Sequence, residues 1–177
     1  MTQGFVLLMT TCLIGSLVAC GGPPPPVAVG QPAPSFELPV LGGGTLAKSE
    51  LAGRPTVISF WATWCQPCHK EIPVLNQLVR DGSAEVVAIS LDEGGWPAIE
   101  RFVAQREISY RVVLGNQEVF ARFDGVAIPY TLVLDASGTI VGLHRGPVGE
   151  EELLREVRMA QGREVDHDEE AKEVAGA

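Results

Sequence analysis

The stretch from Thr56 to Leu91 limits what this chain can fold into more than any other. "TVISFWA" at 56–62 is short, apolar, β-branched and aromatic, as expected of a strand covered on both faces. The chain then enters "CQPCHKEIPVLNQLVRDG", where Ile72, Leu75, Leu78 and Val79 recur at helical spacing before Gly82 stops the pattern. "EVVAISL" at 85–91 is a second buried strand. Strand, helix and strand at these lengths form a βαβ unit, so the two strands run parallel with a right-handed crossover.

Downstream the pattern continues with a helix at about 96–106, a strand at 109–115 and a short helix at 117–123. "YTLVLDASGTIVGLHRG" at 130–146 then places two β-rich runs around "DASG", which reads as a hairpin and so as an antiparallel pair. "EEELLREVRMAQG" at 150–162 begins acidic, carries apolar residues at 153, 154 and 157 and stops at Gly162, the pattern of a closing amphipathic helix. The expected architecture is α/β, a mixed sheet with a parallel half and an antiparallel half, flanked by helices on both faces. "GGG" at 42–44 lacks the Lys-Ser/Thr of a phosphate loop and reads as a turn.

The ends differ from this core. With 177 residues the chain has room for one ordinary domain. Residues 5–19 form an uncharged apolar run of fifteen, shorter than the roughly 20 residues a spanning helix needs. It reads as the core of an export signal covering 1–19, although "MTQG" offers only its α-amino group as the usual positive region. "LVAC" followed by Gly21 resembles the bacterial lipoprotein lipobox, which implies that Cys20 becomes a lipid anchor. "GGPPPPVAVGQPAP" then begins a stiff, extended spacer, taken as 20–29, ahead of a domain at 30–162. The tail, 163–177, holds six acids against two bases and is expected to stay solvated. It accounts for four of the nine net negative charges, so the remainder is mildly acidic and gives no argument for nucleic acid.

Apart from Cys20 and Cys12 of the apolar run, the only cysteines are Cys65 and Cys68, too few for a disulfide scaffold. Cys65-Gln66-Pro67-Cys68-His69 fits two patterns, the C-x-x-C-H attachment of a c-type haem and the C-x-x-C of a redox dithiol. Haem would need a distal ligand, and Met159, His144 and His167 lack a supporting context. Zinc would need two further ligands, and no second C-x-x-C or H-x-x-x-H exists. A strand running directly into a helix favours the dithiol. It places Cys65 where unpaired N–H groups favour a thiolate, lowering its pKa from about 8.5 toward roughly 3.5–7.5. Cys65 is then the nucleophile, and Cys68, one turn on and deeper, resolves the mixed disulfide. Glu71, three residues after Cys68, either takes the proton that Cys68 must lose or is a solvated carboxylate paired with a neighbouring cation.

"FWATWCQPC" at 60–68, Pro73 and "VAIPYTLVL" at 126–134 together resemble the thioredoxin fold. "GQPAPSFELP" at 30–39 and "CHKEIP" at 68–73 are similar, more narrowly, to the membrane-tethered TlpA/ResA group of thiol-disulfide oxidoreductases. The resemblance spans about residues 30–160. It implies a cis bond before Pro129, facing the dithiol and leaving the Ile128 backbone free to pair with an extended client, although only about 5–6% of X-Pro bonds are cis. It also implicates the matching Glu71 in proton transfer, and it puts Ser59 where thioredoxin carries a buried Asp. Trp64, Gln66 and Pro67 join Ile128 and Pro129 as the residues expected to meet substrate. Trp61 is expected in the core, Pro73 as a helix kink, His69 at the surface and His144 as an ordinary strand residue.

The resulting expectation is a monomeric, lipid-anchored extracytoplasmic enzyme that reduces protein disulfides without metal or cofactor. The resemblance implies clients such as apocytochrome c or metal-site cysteines and re-reduction by a membrane electron donor. A haem-bearing electron carrier, a dithiol oxidase and a copper chaperone remain as alternatives. A peroxiredoxin shares "APSFELP" but needs P-x-x-x-T/S-x-x-C, which "SFWATWC" does not supply.

Overall fold

A computed structural model describes residues 26–162. The expected signal segment, Cys20 and the acidic tail lie outside the described residues. In chain order the elements are β1 (Glu37–Pro39), β2 (Thr45–Ala47), β3 (Thr56–Trp61), α1 (Ile72–Arg80), β4 (Glu85–Ser90) and α2 (Trp96–Gln105). They are followed by β5 (Arg111–Leu114), α3 (Gln117–Arg122), β6 (Tyr130–Leu134), β7 (Ile140–Arg145) and α4 (Glu150–Ala160).

The main sheet has five strands in the order β5-β4-β3-β6-β7. β3 pairs parallel with β4, and β4 with β5, while β6 runs antiparallel to both β3 and β7. The parallel half follows from the two helical crossovers and the antiparallel half from the tight "DASG" turn. Both match the expectation from sequence.

Because strand side chains alternate, β3 serves two cores. Val57 faces Val74, Leu75 and Leu78 of α1 and Leu153 and Val157 of α4. Trp61 lies in a neighbouring cluster with Ile99 of α2 and both cysteines of the dithiol. On the opposite face Ile58 and Phe60 pack with Leu38, Leu46, Val119, Phe120 and Phe123. Helices α1, α2 and α4 thus cover one face, and α3 with the β1–β2 hairpin covers the other.

Three details differ from the sequence reading. The β1–β2 hairpin was not expected, because strands of three residues are too short to show a period of two. Its turn is the "GGG" stretch, where Gly42, Gly43 and Gly44 all take positive φ, a conformation that glycine adopts without steric cost. Folded structure also begins earlier than residue 30, inside the expected spacer. Val27 is buried in the core and its N–H donates to the Asp124 carboxylate at 3.0 Å.

The third difference concerns the helix after the dithiol, which is not continuous. A 3-10 turn spans Pro67–Lys70, and α1 starts only at Ile72. Pro73 explains the break, since it has no N–H to offer the carbonyl of His69 four residues earlier. Its place in the first turn of α1 is one where a missing donor is tolerated.

Candidate active site

β3 ends at Trp61, and the chain turns sharply into the dithiol. Asp92, just past β4, pins that turn. Its carboxylate accepts from the Thr63 N–H at 2.9 Å, the Thr63 hydroxyl at 2.6 Å and the Ser90 hydroxyl at 2.8 Å. The Cys65 N–H donates to Ala62 O at 3.0 Å, and the Cys68 N–H returns to Cys65 O at 3.1 Å. These bonds hold the cysteine Cα atoms 5.4 Å apart, within the span a disulfide requires, and the two sulfurs are joined.

Cys68 was expected to lie deeper than Cys65. In the disulfide both are buried, at 4% and 5% exposure, because Trp61, Ala62 and Ile128 pack around the pair together. His69 is not a free surface residue. Its Nε2 lies 3.0 Å from Thr63 O, and its ring lies 4.8 Å from that of Phe102. A ring engaged by Thr63 and Phe102 in this way does not fit the free axial histidine of a haem attachment site.

The Ile128–Pro129 peptide bond is cis. Ile128 packs against the cluster that contains both cysteines, and Pro129 is buried. Among the described residues the Ile128 backbone makes no hydrogen bond. Beside it lies an open cavity of about 750 Å³ whose lining includes Trp64, Asp92, Phe120, Val126 and Ile128. Trp64 is 66% exposed and Val126 81%, so two large apolar groups stand in solvent at its rim. Of the other residues expected to meet substrate, Gln66 and Pro67 are exposed but do not line this cavity.

One of the two readings of Glu71 does not hold. It is 3% exposed and makes no ion pair among the described residues, so it is not a solvated helix-face carboxylate. Its Oε2 accepts from the Thr131 hydroxyl at 3.1 Å and its Oε1 from the Val148 N–H at 3.2 Å. Burial raises its pKa above the ordinary carboxylate value, while Val148, Thr131 and the charge of His144 counter part of the rise. The Tyr110 phenol is likewise pushed up, by burial first and then by the neighbouring Glu71. Ser59 lies in the same region, 3.5 Å from the Thr131 hydroxyl. Trp61 is in the core as expected, yet its buried indole N–H has no acceptor among the described residues.

Sequence reasoning missed Asp92, Thr131 and the setting of His144. Asp92 carried a faint signal as the acid that ends an otherwise apolar strand. Thr131 carried none, since its partner Glu71 is 60 positions away. His144 is no ordinary strand residue, because its Nε2 sits 2.7 Å from a Glu156 carboxylate oxygen across the β7–α4 contact. With Glu152 these groups place one potential ligand atom each within 4.8 Å of one another.

A disulfide closing a four-residue turn at the end of a central strand, beside a cis-proline and on a sheet of this order, defines a thioredoxin-like thiol-disulfide oxidoreductase. Comparison with known proteins agrees. The chain belongs to the AhpC/TSA family, whose model matches residues 29–142. It is 29% identical over 133 residues to the thiol-disulfide oxidoreductase ResA of Geobacillus kaustophilus, covering 73% of this chain and 76% of that one. A Chlorobium tepidum crystal structure provisionally assigned as the thiol:disulfide interchange protein DsbE aligns with TM-score 0.70 and 26% identity, over 76% of this chain and 98% of the other. A thioredoxin family thiol:disulfide interchange protein from Chlorobium tepidum TLS aligns with TM-score 0.65 and 31% identity, over 75% of this chain and 97% of that one.

Proposed function

We propose that this oxidoreductase works in the reducing direction on protein disulfides, outside the cytoplasm and tethered through Cys20. The observation that carries the reading is the Cys65–Cys68 pair beside Ile128, whose backbone has no hydrogen-bond partner among the described residues and so can bond an extended client segment. The reduced Cys65 thiolate attacks one client sulfur, forming a Cys65–client disulfide, and the other client sulfur leaves as a thiolate and takes a proton. Cys68 then passes its proton to Glu71 and attacks the Cys65 sulfur. The Cys65–Cys68 bond closes, the client leaves as a dithiol, and two electrons have moved from enzyme to client. A membrane electron donor must return them. Neither step calls on a metal or resident cofactor.

The tethered location rests on the lipobox-like "LVAC" and the Pro-rich stretch after it. No helix among the described residues is long and apolar enough to cross a membrane. Clients with paired cysteines awaiting haem or metal, apocytochrome c among them, suit an open rim that carries exposed apolar groups and few shape constraints. The enzyme acts as a monomer.

Two measurements test the proposal. Cys68→Ser in the full chain leaves Cys65 unable to be resolved, so mixed disulfides with clients are expected to accumulate in the cell envelope and can be identified. A reduction potential near thioredoxin's, about −270 mV, supports a reductase, whereas one near DsbA's, about −120 mV, would reassign the protein as an oxidase.

A further inference from the structure

The last residue of C-x-x-C-H has no part in the exchange described above, yet its side chain is held in place. The Nε2 of His69 lies 3.0 Å from Thr63 O, and the bond joins positions six apart, one on each side of the dithiol. A carbonyl oxygen only accepts, so the hydrogen sits on Nε2 and the imidazole donates. Phe102 of α2 backs the ring with centroids 4.8 Å apart. Phe102 itself packs on Trp61 at 5.3 Å and lies 5.5 Å from the Arg106 guanidinium.

This bond completes the anchoring of Thr63. Its N–H and hydroxyl both donate to Asp92, at 2.9 and 2.6 Å, and its carbonyl accepts from His69, so every polar group it carries is engaged. Asp92 is held in turn by Ser90, whose hydroxyl donates to the carboxylate at 2.8 Å and accepts from the Asp92 N–H at 3.1 Å. Asp92 thus ties the entry of the dithiol turn to the end of β4, and His69 ties the exit of the turn to its entry. None of these bonds uses a sulfur, so opening the Cys65–Cys68 bond removes no partner from them.

We propose that His69 is a positioning residue for the resolving step: by bonding Thr63 it holds Cys68 within reach of Cys65 while the disulfide is open. When Cys68 attacks the Cys65 sulfur of a mixed disulfide, the Cys65–Cys68 bond forms, the Cys65–client bond breaks and the electron pair leaves on the client sulfur. The step is intramolecular, so its rate and equilibrium depend on how closely the two sulfurs are held. Holding them together favours the closed disulfide and makes the dithiol a stronger reductant. An imidazolium acting by its charge would do the reverse, because stabilising a thiolate favours the reduced form. The inference rests on dithiol exchange at this site and holds for either direction of electron flow.

Those opposite signs supply the test, made on the full chain. His69→Leu keeps an apolar group against Phe102 and removes the donor, whereas His69→Gln keeps a donor that cannot carry charge. Reduction potentials are measured by equilibration in dithiothreitol buffers. Kinetics are followed by mixing reduced protein with substoichiometric 5,5′-dithiobis(2-nitrobenzoate), where the first thionitrobenzoate released reports attack by Cys65 and the second reports resolution by Cys68. His69→Leu is expected to slow the second release roughly tenfold, the worth of about one hydrogen bond, and to leave the first unchanged. Its potential should become less negative by about 30 mV, the same tenfold expressed as an equilibrium. His69→Gln should recover most of both losses. A more negative potential in both variants would reassign His69 to charge tuning and overturn the inference, as would an equal loss in both or no change in either. The wild-type potential by itself separates reductase from oxidase, so failure of that reading is seen independently of these differences. A measurement without substitution uses histidine labelled with nitrogen-15. A hydrogen-bonded Nε2–H proton of His69 is expected by NMR in oxidised and reduced protein alike, and its loss on reduction would overturn the inference.

Discussion

The two faces of the central sheet are built for different purposes, and β3 contributes to both. Its Phe60 side lies among aromatic rings, with centroids 5.2 Å from Phe120, 5.1 Å from Phe123 and 5.8 Å from Tyr130. The Tyr130 hydroxyl on that side is satisfied by Phe123 O at 2.8 Å. Its Ser59 side faces Thr131, the buried Glu71 and the indole of Trp61, whose N–H has no acceptor among the described residues. Burying a carboxyl and leaving a donor without an acceptor both cost stability. The comparison teaches that the aromatic face carries the fold firmly enough for the helical face to hold a buried carboxyl and the dithiol.

Substitutions can break that division of labour. The largest effect is expected from Cys65→Ser, which should reduce disulfide reductase turnover to the uncatalysed level while leaving the urea unfolding midpoint within error of the Cys68→Ser protein. Phe60→Ala should cost about 3–5 kcal/mol in equilibrium unfolding, because it removes the ring that three others pack against. At temperatures where that variant is still folded, its Cys65 reactivity should match the wild type. If the dithiol failed along with the fold, the two faces would not be separable.

Glu71→Gln tests the other side. The resolving step should slow by roughly 10²-fold, the usual loss for a general base. Its effect on stability should depend on pH. Burial raises the folded-state pKa of Glu71, so this group contributes stability that is fully present below its unfolded value and is lost as pH rises through the folded one. The wild type should therefore lose stability relative to Glu71→Gln between acidic and neutral pH, as read from urea melts at several pH values. A difference independent of pH would contradict a buried carboxyl with a raised pKa. The smallest expected change is from Trp64→Ala. At 66% exposure this residue should shift stability by less than about 0.5 kcal/mol, and only the KM for a peptide disulfide should rise.

Much of this division was legible before any coordinates. The apolar run of β3, the helical spacing of Ile72, Leu75 and Leu78 and the "DASG" turn are local signals, and each produced the element it announced. The dithiol was equally plain, because the spacing of Cys65 and Cys68 is itself the chemistry. The cis bond before Pro129 came from resemblance, not from the residues, since an X-Pro pair alone argues for trans. The β1–β2 hairpin escaped notice because three-residue strands show no period, and the break before α1 was read only as a kink at Pro73.

Along the chain, then, composition and spacing determined which segments become strands and helices and which two sulfurs react, because those properties depend on neighbours a few residues apart. Only tertiary structure decided that Glu71 is buried rather than solvated, that Thr131 holds it, that Asp92 pins the active turn and that His144 meets Glu156. Those contacts join residues 12 to 60 positions apart. They depend on strand register and on which helix covers which face, and no local pattern encodes the protonation behaviour that follows from them.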